Sequence, residues 1–80
     1  MFMRLERTII VTPLTQRRLS EVREELLREG IKRNIQDSTL VTINPYRQTL
    51  AVTSDSFDFL NAITANHNFS VMPIILPNLN

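Results

Sequence analysis

The segment that most restricts what this chain can fold into is residues 39–53, TLVTINPYRQTLAVT, two alternating runs joined by a turn. Val41 and Ile43 share one side of the first run, Leu50 and Val52 share one side of the second, and threonines with Ala51 take the other side. That period of two is the signature of paired half-buried strands. Between them, Asn44-Pro45-Tyr46-Arg47 supplies a type I turn: asparagine opens it and proline presets φ at the second position. A lone hairpin is marginal in water, so the flanking segments must bring further strands or a helix to its apolar side.

They do. Residues 3–11 read as a strand with Leu5, Ile9 and Val11 inward, ended by Thr12-Pro13, where threonine caps and proline opens a helix expected to follow directly. Across residues 14–29, Leu19, Val22, Leu26 and Leu27 recur at helical spacing, while Arg17, Glu21, Glu24, Glu25 and Arg28 fill the opposite face. Gly30 then occupies the place of a left-handed terminal residue, with Lys32 and Arg33 at the negative end of the dipole. A polar stretch, residues 34–38, leads back to the hairpin.

After the hairpin, Ser54, Asp55 and Ser56 are N-cap residues ahead of Phe57, Phe59, Leu60 and Ile63, which predicts a second helix to about Asn66. Asn66 and Asn68 are able to end it at positive φ. Residues 69–76 read as a last strand, and Pro73 within it places that strand at a sheet edge, since proline cannot donate to a ladder. Residues 77–80 are expected to be extended and loose.

The order strand, helix, strand, strand, helix, strand is the split βαβ layout of ferredoxin-like folds, an α+β class whose name implies no iron–sulfur cluster. The chain resembles those folds in layout alone, over nearly its whole length. The layout implies a four-stranded antiparallel sheet of order 4-1-3-2, which puts the last strand at an edge, with both helices on one face and the other face open.

Eighty residues make one domain, 1–80, near the length at which a single core barely outweighs the entropy of ordering the chain. With no cysteine, disulfides and thiolate metal clusters are excluded, a single histidine argues against a structural zinc, and association remains as the common source of extra stability. A homo-oligomer, most simply a dimer, is therefore expected. No apolar run approaches the roughly 20 residues of a membrane span, and the cytoplasm is the expected location.

The open face would carry Thr8, Ile10, Thr12, Leu40, Thr42, Thr49, Ala51 and Thr53. It lacks the aromatic rings on which RNA-reading sheets stack bases. Bland exposure accounts for this face as well as a dimer or partner surface built on Ile10, Leu40, Thr42 and Ala51 does. Tyr46 beside Arg47 at the hairpin tip either packs on its own strand end or serves as an interface anchor.

Charge is nearly balanced at +1 but uneven: residues 1–33 hold eight cations and five anions, the remainder one cation and three anions. Nucleic-acid binding through Arg4, Arg7, Arg17, Arg18, Lys32 and Arg33 is the alternative function, and it requires those side chains to cluster. Arg17 is expected to pair with Glu21 one helical turn on; the sharper reading sets Arg17 and Arg18 against phosphate or an acidic partner, together with Arg47 or Arg7. A dimeric ligand-sensing domain is a third reading.

Catalytic signatures are absent from the sequence. The first strand-to-helix turn has no glycine to cradle phosphate, and no Walker loop, nucleophile elbow, Cys-x-x-Cys or HExxH motif occurs. Asp55 and Asp58 suit a helix N-terminus, and His67 a solvated helix end, better than either suits metal or acid–base chemistry. Neither an enzyme nor a cofactor is expected. The reading is a non-enzymatic protein-interaction module, of the kind a small regulator or inhibitor would be, which self-associates through the open face or an edge strand and engages a protein partner through Ile10, Leu40, Thr42, Ala51, Tyr46 and Arg47.

Overall fold

A computed structural model describes residues 5–74. Its elements are β1 (Arg7–Pro13), α1 (Leu19–Lys32), a 3-10 turn (Gln36–Ser38), β2 (Thr39–Asn44), β3 (Thr49–Ser54), α2 (Phe57–Thr64) and β4 (Phe69–Pro73). All strand pairs are antiparallel, in the order β2-β3-β1-β4, which is the expected 4-1-3-2 read from the other edge.

Register converts the alternation of the sequence into two faces. On one, Ile43, Leu50, Val11 and Val71 stand side by side across the four strands, and Val41, Val52, Ile9 and Pro73 form the next row. Val22 and Leu26 of α1 and Phe59, Leu60 and Ile63 of α2 close over these rows to make one core. Val11, Leu50 and Val52, all on the central strands, are fully buried. Each such side chain contributes about 1.5–3 kcal/mol of transfer free energy. The opposite rows carry no helix.

Pro73 lies on edge strand β4. Because the Ile74 N–H donates to the Thr8 carbonyl (3.1 Å), the alternate nitrogen at Pro73 points away from β1, where no ladder partner is required.

Several local expectations give way to tertiary pairing. Leu5 is 68 % exposed rather than inward: β1 starts at Arg7, whose partner Ser54 is the last residue of β3, so β3 does not extend far enough to pair with Leu5. No helix follows Thr12-Pro13 directly. The strand runs through Pro13, paired with Phe69, and the proline nitrogen faces the β3 side, where pairing has already stopped at Val11. Helix α1 therefore starts at Leu19 instead of near Leu14, with Arg18 as an N-cap that makes no side-chain hydrogen bond.

Gly30 is not the helix stop. It is buried inside α1, and Asn34 takes the left-handed position with φ 58°. The Ile35 N–H donates to the Gly30 carbonyl (2.9 Å) and the Asn34 N–H to the Ile31 carbonyl (3.0 Å), the paired bonds of a Schellman motif. Ile35 then packs against the core. Helix α2 opens as read, with the Ser56 hydroxyl accepting from the Phe59 N–H (3.3 Å), while buried Ser54 holds the turn by accepting from the Ser56 N–H (3.1 Å). It closes at Thr64, and neither Asn66 nor Asn68 adopts positive φ. Asn66 acts through its side chain, which accepts from the Asn68 N–H (2.9 Å). The expectations for Met3, Ile75, Leu76 and residues 77–80 lie outside the described residues.

A Cβ placed on Gly30 would meet Ile35 Cγ1 and Thr39 Cγ2 at 3.9 Å, ordinary packing distances. Gly30→Ala should therefore stabilise the protein by about 0.5–1 kcal/mol, read as a higher urea midpoint with unchanged slope. A loss of stability of similar size would instead mean that Gly30 holds the left-handed cap.

Candidate interaction surface

The uncovered face is built by the same register that buries the core. Thr42, Ala51, Ile10 and Met72 form one row across all four strands, and Leu40, Thr53 and Thr8 form the next. Thr8 and Thr53 join their hydroxyls at 2.8 Å, so these two central-strand side chains satisfy each other rather than waiting for a partner. Leu40 is 61 % exposed and Met72 68 %. No strand residue on this face carries a charge.

Ile10, Leu40, Thr42 and Ala51 are thus placed together as expected. Met72 and Ser70 belong with them, and the sequence signal was available, since both fall out of phase with the inward Phe69 and Val71. A cavity of about 600 Å³ opens on this face between Ile10, Thr12, Asn44, Arg47, Thr49 and Met72.

The hairpin tip differs from a simple four-residue turn. Asn44 and Thr49 close the hairpin, and residues 45–48 form the loop, with Gln48 in the left-handed region at φ 55°. Asn44 Oδ1 accepts from the N–H groups of Tyr46 (3.1 Å) and Arg47 (3.2 Å), and the Gln48 side-chain amide donates to the Pro45 carbonyl (2.6 Å). Tyr46 does not pack on its strand end: it is 97 % exposed, because the loop carries it past the last residue pair.

The two sheet edges are less available than the face. Arg23 Nε donates to the outward carbonyl of Val41 on β2 (3.0 Å), and β4 carries Pro73.

The five described cations of the nucleic-acid reading do not form one surface. Arg4 lies outside the described residues. Arg7 stacks over the Phe57 ring at 4.3 Å and Arg33 sits over Phe59 at 5.9 Å, two residues and hence more than half a turn apart on α2. Lys32 pairs with Glu29 (3.4 Å). Arg17 and Arg18 precede α1, a 14-residue helix whose ends are about 20 Å apart, and Lys32 and Arg33 are at its far end. Arg17 pairs with Glu25 rather than Glu21, because it belongs to the loop before the helix and reaches along it.

Asp58 lies in the first turn of α2, His67 is exposed, and no group of three or more metal-ligating side chains occurs among the described residues. Among those residues no helix is long and apolar enough to cross a membrane. No family model matches the sequence, and neither the curated proteins nor the solved structures include a match.

Asn44→Ala should cost about 1 kcal/mol in urea unfolding, because the Tyr46 and Arg47 N–H groups lose their common acceptor. Tyr46→Ala should change stability by less than about 0.5 kcal/mol. Equal losses in the two variants would mean that the tyrosine ring, not the asparagine amide, holds the tip.

Proposed function

We propose that this protein acts by contact rather than catalysis, as a small interaction module that pairs with a second copy of itself through the open sheet face and presents the hairpin tip to a protein partner. The observation that carries this reading is the uncharged row Thr42, Ala51, Ile10 and Met72 on a face no helix covers. A two-fold contact sets a surface against its own image, so any charge at its centre would meet its like; this face brings none. Face pairing is favoured over edge pairing because Arg23 already occupies a β2 carbonyl and Pro73 interrupts β4.

Size sets the strength of such a contact. Four strands spaced by about 4.8 Å, each about 20 Å long, give a footprint of roughly 400 Å². That is about half the 800 Å² per partner of a standard stable interface, so self-association is reversible and weak. Tyr46 and Arg47 extend beyond this footprint and are the contacts assigned to the protein partner, tyrosine and arginine being the residue types that most often anchor interfaces. A small regulator or inhibitor fits this description.

Sedimentation velocity should show the dimer fraction rising between about 10 µM and 1 mM chain. Thr42→Asp, at an exposed position, should leave the circular dichroism spectrum unchanged and abolish the dimer. A monomer throughout that range, or a dimer indifferent to Thr42→Asp, contradicts face pairing.

A further inference from the structure

A second cavity, also of about 600 Å³, lies at the end of the sheet, where the loop leaving β1 meets the hairpin tip. Antiparallel pairing of Val11 with Leu50 brings these two segments together. Arg17 and Arg18 enter the cavity from the loop and Arg47 from the hairpin, joined by Gln16, Gln48 and Thr15. No acidic residue lines it. Glu25 answers Arg17, whereas among the described residues Arg18 and Arg47 form no ion pair.

From this convergence we propose that the cavity binds a small phosphate-bearing dianion. Three arginines from two separate segments of the fold line a single space. The Arg47 backbone is held by the Asn44 side chain beside the left-handed Gln48, the Arg18 backbone is the N-cap of α1, and the Arg17 guanidinium is held by its ion pair with Glu25. With Arg17 answered by Glu25, Arg18 and Arg47 remain as like charges bordering one space, and an anion there would answer them. The planar guanidinium fork takes oxygens two at a time, and a phosphate, unlike a carboxylate with its two oxygens, has enough of them to meet more than one fork. Arg17 and Arg18 also lie at the positive end of the α1 dipole, an unfavourable place for cations that an intervening anion makes favourable. Gln16, Gln48 and Thr15 add neutral hydrogen-bonding groups. The volume exceeds that of a lone phosphate and leaves room for a small organic body.

This site shares Thr12 and Arg47 with the cavity on the open face, whereas Arg17 and Arg18 border this site alone. Binding at it does not require self-association.

The test is an NMR titration of the ¹⁵N-labelled full chain at low ionic strength with inorganic phosphate and with glycerol phosphate, against chloride at matched ionic strength. Saturable shifts at Arg17, Arg18, Leu19, Arg47 and Gln48 with the phosphate titrants, and none with chloride, are expected. Arg18→Gln and Arg47→Gln should each weaken binding about tenfold or more, the loss of a charge-assisted contact, while Arg28→Gln, at an exposed position outside the cavity, should not. The Thr42→Asp chain should titrate as the unmodified chain does, which separates this site from face pairing. Tighter binding of glycerol phosphate assigns the site to a phosphorylated metabolite, and equal binding assigns it to phosphate itself. Non-saturating shifts that chloride reproduces, or an Arg28→Gln effect equal to that of Arg18→Gln, would overturn the proposal.

Discussion

Everything in this structure depends on a strip of aliphatic side chains, Val11, Leu50 and Val52, pressed between the two central strands' backbone and the inner sides of α1 and α2. The three belong to adjacent strands in register, so a shift of one residue in either strand would turn its whole set to water. Removing any of these from contact costs transfer free energy and leaves a void, together about 2–5 kcal/mol for a leucine. In a domain of this size that is a large part of the whole stability.

The same pleat that buries one set must expose the other. With two short helices and a 3-10 turn as the only further elements among the described residues, the chain has enough cover for one side of the sheet. The uncovered side is composed of threonines, which tolerate water, interrupted by Ile10, Leu40 and Met72, which gain from leaving it. Such a surface is acceptable alone and, under the proposed function, better when paired.

Much of the fold was legible because it follows from period. The inward and outward rows and the edge position of Pro73 come from alternation and proline chemistry, whereas the hairpin register, with Asn44 opposite Thr49, does not follow from the turn residues 44–47. Element ends were less legible, because each is a contest between local preference and a distant partner. Thr12-Pro13 reads as a helix start in isolation, but Ser70 and Phe69 recruit both residues into the ladder. Gly30 reads as a stop, but Asn34 four residues later fills the left-handed position and lets the helix run on. The arginine-lined cavity was least legible of all. Its members are about thirty residues apart, and only the antiparallel placement of the hairpin beside the end of β1 joins them.

The claim at the centre of this account is that neighbouring residues of β3 belong to opposite environments, one sealed by helices and one open. Comparing the unfolding free energies of Leu50→Asp and Ala51→Asp in urea tests it most directly. The account predicts that the first chain fails to fold, since it places an unpaired carboxylate in the dry layer, while the second remains folded with a loss of no more than about 1–2 kcal/mol. Comparable stabilities for the two, or the reverse order, would contradict it.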